Sequence, residues 1–236
     1  MGRKGFSLIE SLISLSICFF IVICSLEFYV SVRSHFLKLK EEEETNAEAF
    51  AALDKMRIDF MEGGLGLTIP IKQGILDGIR EVDGTLSIFS KEHSYSLSQS
   101  IVPGQTRIIL NNTEGFKKYR DICISDKGHG EIHTISSVDE YSIVLSSPIN
   151  LFYAQKDTQI ILIKKVIYFL DQGQNVLRRK VNSSPAQPLL EHVSSFEPSY
   201  EKASNLVRIS LVLKTTKEKK YEISVFPKNI ALAFFL

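Results

Sequence analysis

From Ser11 to Leu26 the chain runs sixteen residues without a charge, most of them Leu, Ile, Val, Phe or Cys, with Arg3 and Lys4 standing shortly before. Such a stretch limits what the first part of the chain can become, because a helix needs about 20 apolar residues to cross a hydrocarbon core. Sixteen residues fall short, whereas the span from Phe6 through Val32 is ample but takes in Glu10 and Glu27. A carboxylate near a bilayer midplane costs about 2.5 kcal/mol or more and marks function where it is kept. Glu27 falls toward the far end of the span and Glu10 one turn inside the near end, so both can approach an interface. Glu10 still needs a reason. Arg3 and Lys4 favour a cytoplasmic N-terminus.

Two common explanations of such a stretch fail on local detail. A secretory signal peptide needs a small-x-small cleavage site after the apolar core, but this chain reads Cys24-Ser25-Leu26-Glu27-Phe28-Tyr29 and continues in helix-forming sequence. A lipoprotein signal needs a small residue before the cysteine, and Ile17 and Ile23 precede Cys18 and Cys24. An ordinary membrane anchor explains everything except the Gly5-Phe6 start and Glu10. The segment Lys4-Gly5-Phe6-Ser7-Leu8-Ile9-Glu10 resembles the type III signal of type IV pilins and type II secretion pseudopilins. The resemblance implies cleavage between Gly5 and Phe6 by a prepilin peptidase, N-methylation of Phe6, and an assembly role for Glu10. The implied partners are that peptidase/methyltransferase, other minor and major pilins or pseudopilins, and the bacterial inner membrane.

The chemistry of that arrangement stands on its own. Cleavage would leave an α-amine, a positive charge, at a helix N-terminus in apolar surroundings. A carboxylate one turn along a neighbouring helix can pair with it where an unpaired charge would be strongly disfavoured. Glu10 then acts as a registry device, setting the axial stagger between adjacent helices more than it adds net stability. Ser11, Ser14 and Ser16 are small enough for close helix approach.

Helical patterning continues past the apolar span. Arg33 to Glu48 is densely charged, and Glu41 to Glu44 form a like-charged run expected to loosen the helix as a solvated face. Ala49, Leu53, Met56 and Phe60 then recur at helical spacing beside Ala52 and Met61, with Asp54, Lys55, Arg57 and Asp59 off that stripe. Gly63-Gly64 supplies the stop. A helix from Phe6 to Glu62 would be about 85 Å long at 1.5 Å per residue.

Beyond Thr68 the pattern changes to short alternating or β-branched runs. They cover 84–90, 106–110, 121–125, 131–138, 141–146, 158–170, 176–181, 206–214 and 220–226, with a hairpin loop at 171–175. Val207, Ile209, Leu211 and Leu213 share one face of a strand. This half carries a weaker resemblance to the large minor pilins of the W class and the pseudopilins of the J class. It rests on Tyr168 and Leu170, a hairpin into Val176-Leu177-Arg178-Arg179, then Pro188-Leu189-Leu190 through Val193 to Phe196. Residues 119–153 resemble a small β-barrel insertion of the W class. The expected fold is therefore α+β and pilin-like. It comprises a leader at 1–5, a membrane or filament-core helix at 6–32, an amphipathic spine at 33–62 and a β-rich extracytoplasmic head at 63–236.

The chain departs from the major-pilin pattern in two respects. No proline breaks the outer end of the membrane segment, and Cys123 stands alone in the head, so the head forms no internal disulfide. Cys18 and Cys24 lie about 9 Å apart along a helix axis, too far to bridge. The size of the head and the missing disulfide, set beside the resemblance, imply a minor subunit at the filament tip or in its initiation, with a membrane-anchored binding domain that never polymerises as the alternative.

Enzymatic and cofactor signatures are not expected. No nucleophile elbow, phosphate-binding glycine loop or CxxC pair occurs, and Cys123 in its Ile-Cys-Ile run is expected to be buried and inert. His129, Glu131 and His133 alternate as a metal trio on a strand would, but Gly128 and Gly130 favour a turn carrying surface side chains. DNA contact through Arg178-Arg179-Lys180 or through 214–220 is disfavoured. Without Arg3 and Lys4 the 28 basic residues become 26 against 27 acidic, so the chain has no overall basic field.

Overall fold

The computed structural model of the protein describes residues 8–214 and 218–235. The chain divides into two compact units at Phe50/Ala51. The fold is α+β: a long N-terminal apolar helix and a β-rich head built from antiparallel sheets.

Helix α1 spans Leu8–Glu62. It is continuous through Glu41 to Glu44, where the sequence leads one to expect loosening. Lys40 lies 3.7 Å from Glu44 one turn on, and the Thr45 hydroxyl donates to the Glu41 carbonyl at 2.8 Å, so the local charge is partly offset and the turn is braced. Ala49, Ala52, Leu53, Met56 and Phe60 are buried, as the helical stripe requires. Gly64, at φ +77°, ends the helix and donates its N–H to the Phe89 carbonyl at 2.8 Å. A Cβ at Gly64 would also fall 2.7 Å from Ile230, so both conformation and space favour glycine there.

The head begins with a short helix α2 (Thr68–Lys72) and strands β1 (Ile79–Val82) and β2 (Thr85–Ser96). There follow β3 (Arg107–Ile109), β4 (Asp121–Ser125), β5 (Gly130–Val138), β6 (Ser142–Leu145), β7 (Gln159–Asp171), β8 (Val176–Val181) and β9 (Gln187–Leu190). These nine strands form one sheet in the order β1-β2-β7-β4-β5-β6-β3, with β8 and β9 continuing from β7. A second sheet holds β10 (Val193–Glu201), β11 (Leu206–Lys214) and β12 (Glu218–Val225), and helix α3 (Lys228–Phe235) follows.

β7 organises the head. One of its edges pairs with β2 from Gln159 to Tyr168, interrupted by a bulge between Lys91 and His93 of β2. Its other edge pairs with β4 over 159–162 and with β8 over 166–171. Beyond the bulge, a Leu97–Leu110 bridge returns the strand path from β3 to the end of β2. This closed path surrounds an apolar cluster that includes Leu97, Ile108, Ile122, Ile135, Tyr153 and Leu162. Bulges permit the bend such closure needs.

The second sheet shows period-two burial plainly. Val207, Ile209, Leu211 and Leu213 are buried while Arg208 and Lys214 are exposed. Leu211→Ala should therefore lower stability by about 2–5 kcal/mol, and Ser210→Ala on the opposite face should change it little. Thermal unfolding of the purified protein in detergent compares the two.

Candidate functional site

Two regions carry side chains whose placement demands explanation, one in each unit. The first is the N-terminal part of α1. Its apolar side chains, among them Leu8, Ile9, Phe19, Phe20 and Phe28, are exposed, so this surface is not part of any core within the chain. By length and composition the helix can cross a membrane. Ser16 donates to the Leu12 carbonyl at 2.9 Å and Ser25 to the Ile21 carbonyl at 2.8 Å. Hydroxyls satisfied within their own helix are tolerated in lipid. Glu10 occupies the first turn and is exposed. Gly5 and Phe6, the residues of the expected cleavage, lie outside the described residues.

Helical spacing refines the expectation about the serines. Ser11 and Ser14 share a stripe with Cys18 and Ser25, at three-, four- and seven-residue steps, and Glu10 flanks it. Ser16 falls on the opposite side of the helix and does not belong to that stripe. The cysteines Cys18 and Cys24 are free and exposed.

The second region lies where the last turns of α1 meet the sheet. Asp59 is buried, its side chain 1 % exposed. Its carboxylate accepts a hydrogen bond from the Tyr168 hydroxyl at 2.5 Å, one from Arg179 Nε at 2.7 Å and one from Arg179 Nη2 at 3.2 Å. Lys55 approaches to 3.6 Å. Burial alone would raise the Asp59 pKa. The hydrogen bonds from Arg179 and Tyr168, with the charges of Arg179 and Lys55, outweigh burial and hold it below the ordinary carboxylate value. Burial and the neighbouring carboxylate push the Tyr168 phenol up, keeping it a neutral donor. Phe60 and Tyr168 meet with ring centroids 6.0 Å apart.

The run Arg178-Arg179-Lys180 does not present one basic face. Successive residues of β8 point to opposite faces, so Arg179 enters the buried cluster while Arg178 donates to Asp171 at 2.9 Å and to Gln174. Lys220, in the other basic run, pairs with Glu222 at 2.6 Å.

The alternating trio His129, Glu131 and His133 is also resolved, and His133 is buried rather than on the surface. Glu131 accepts from the Asn150 and Leu151 N–H groups at 3.0 and 2.8 Å and from the Asn150 side chain at 2.8 Å. It also faces the Tyr153 hydroxyl at 3.4 Å and His133 Nε2 at 3.3 Å. Desolvation raises its pKa, but these hydrogen bonds and the His133 charge pull it below the usual value. Glu131 thus pins the 150–151 loop. His129 turns away, with Nε2 3.0 Å from the Phe152 carbonyl and Nδ1 3.3 Å from Asp126. Among the described residues no group of three His, Cys, Asp or Glu side chains is placed to hold a metal ion.

His133 Nδ1 lies 3.0 Å from the Ser147 hydroxyl, so Ser147, His133 and Glu131 stand in the order of nucleophile, base and carboxylate. The residue after Ser147 is Pro148, which has no N–H to offer a developing oxyanion, and the carboxylate is committed to the loop. The three are better described as one polar brace between β5 and the loops beside it.

Neither protein-family models, nor curated proteins, nor solved structures yield a match to this chain.

Arg179→Ala would leave the Asp59 carboxylate buried with its strongest partner removed, a loss expected at about 3 kcal/mol. Because the Asp59 pKa is lowered on folding, its contribution is fully present above the unfolded-state value near 4 and lost as pH falls through the folded-state value. Asp59→Asn should accordingly flatten the fall in stability on acidification below about pH 4, measured by thermal unfolding across a pH series.

Proposed function

We propose that this chain is a minor pilin or pseudopilin, processed by prepilin peptidase and incorporated into a type IV pilus or a type II secretion pseudopilus, at the tip or in initiation. One observation carries the proposal. A helix whose apolar side chains are exposed carries a carboxylate, Glu10, in its first described turn, and continues unbroken to Glu62, where a β-rich head follows. An acidic residue at that position is hard to account for in a plain anchor and has a ready purpose in a packed bundle of such helices.

Assembly would proceed from the inner membrane, with the leader in the cytoplasm and the head outside it. Cleavage after Gly5 exposes the α-amine of Phe6, which is then methylated. The Glu10 carboxylate of one subunit pairs with the terminal amine of another and sets their stagger. The stripe of Ser11, Ser14, Cys18 and Ser25 supports close helix approach within the bundle. The closed strand path of the head supports the W-class resemblance, with one adjustment. It draws on β2 and β7 as well as on residues 119–153, so the barrel-like part is larger than the sequence resemblance marks out.

DNA contact has little support in this reading, since Arg179 is engaged by Asp59 and Arg178 by Asp171. The remaining alternative is an anchored binding domain that never polymerises, and processing distinguishes it from the pilin reading. Mass spectrometry of protein from peptidase-competent cells should find a chain beginning at methylated Phe6; an intact Met1 leader would leave only the anchored domain. Glu10→Ala should be processed normally yet sharply reduce filament number by electron microscopy, and unchanged filament counts would remove Glu10 from assembly.

A further inference from the structure

The change of partners along β7 leaves a gap that the chain fills with cations. β7 pairs with β4 up to Leu162 and with β8 from Val166 onward, so residues 163–165 face neither strand. Their backbone is served from the side: Arg120 Nη2 donates to the Ile163 carbonyl at 2.9 Å, and Lys165 donates its N–H to Asn182 Oδ1 at 2.8 Å and accepts from the Asn182 N–H at 2.7 Å. A cavity of about 230 Å³ opens at this gap, lined by Tyr119, Arg120, Lys165, Lys180, Asn182 and Ser183 among others.

Three features of the cavity point to a ligand. Arg120 lines the cleft while 6 % exposed, with its Nη2 shared between Glu92 and the Ile163 carbonyl. Lys165 and Lys180 have no carboxylate within ion-pairing distance among the described residues; the Lys165 ammonium instead sits 5.6 Å from the Phe89 ring centroid. Tyr119, at the rim and 67 % exposed, holds φ at +65°, a conformation an aromatic residue adopts only under constraint. The ammonium of Lys118 lies 4.7 Å from its ring and adds a cation to the rim. Opposing charge is limited and engaged. Glu92 pairs with Arg120 at 2.5 Å, and Asp121 accepts from the Thr134 hydroxyl at 2.7 Å.

We propose that this cleft binds a phosphate or sulfate oxyanion, free or carried on a small sugar. Several acceptor oxygens in a tetrahedral array suit donors that converge from different directions: two ammonium groups, the Asn182 side-chain amide and the Ser183 hydroxyl, with Arg120 lining the same cleft. The site is independent of filament assembly, so an unprocessed N-terminus would leave it standing.

The test is calorimetric titration of the purified full-length protein in detergent with inorganic phosphate, and separately with glucose 6-phosphate, against a sodium chloride control of equal ionic strength. The proposal expects one-site saturable binding that chloride does not reproduce. Loss of one charge-assisted contact in Lys180→Gln or Lys165→Gln should weaken Kd about tenfold or more, while Lys214→Gln, outside the cleft, should leave it unchanged. Tighter binding of glucose 6-phosphate identifies a sugar-borne ligand, and equal binding identifies the free anion. Absence of saturable binding in both arms would overturn the proposal, as would unaltered affinity in both cleft variants when circular dichroism shows them folded.

Discussion

Asp59 is a carboxylate removed from water in the last turns of a helix, and the head is arranged around keeping it partnered. Tyr168 comes from the C-terminal half of β7 and Arg179 from β8, so one buried charge fixes the helix end against two adjacent strands at once. Taking the charge out of water costs several kcal/mol, which the partners have to offset. The value of such a cluster lies in geometry. A helix rotated by one residue, or β8 slipped by one, would point Asp59 or Arg179 to the wrong face and leave a charge stranded. Apolar packing tolerates small slippage far better than this cluster does.

From that fixed point the head divides along β7. The half of the strand near Tyr168 takes β8 and then β9, and the half near Gln159 takes β4 and the closed path beyond it. Polar braces hold the loops at the closed end: Glu131 gathers the 150–151 backbone, and Asp126 caps the turn at Gly128 and His129. The cationic cleft sits at the fork itself, where neither set of strands reaches.

Much of this was legible from residue order. The alternation of Val207, Ile209, Leu211 and Leu213 announced a half-buried strand, the 171–175 loop announced a hairpin, and Gly63-Gly64 announced the end of the spine. Strands β1, β9 and β10 escaped notice because their sequences, with Arg80 and Glu81, Pro188, and Pro198 among serines and glutamates, carry little apolar alternation. Their pairing is set by neighbours already in place. The true site of Arg179 was invisible for a related reason: its partner lies 120 residues away in sequence, while the adjacent Arg178 and Lys180 suggested a basic surface. His133 misled in the same way, since the glycines beside His129 marked a turn that ends before β5 carries His133 inward. The cleft could not have been inferred, because it arises from which strands β7 takes on each side.

Cys123 lies wholly inside the head, and burial pushes its thiol pKa up to about 12, despite an opposing hydrogen bond with Ser125. At neutral pH almost none of it is thiolate, the form that reacts. With no second head cysteine to meet and no accessible sulfur to offer, Cys123 serves the head as a small apolar side chain, and packing rather than a covalent crosslink holds the sheets.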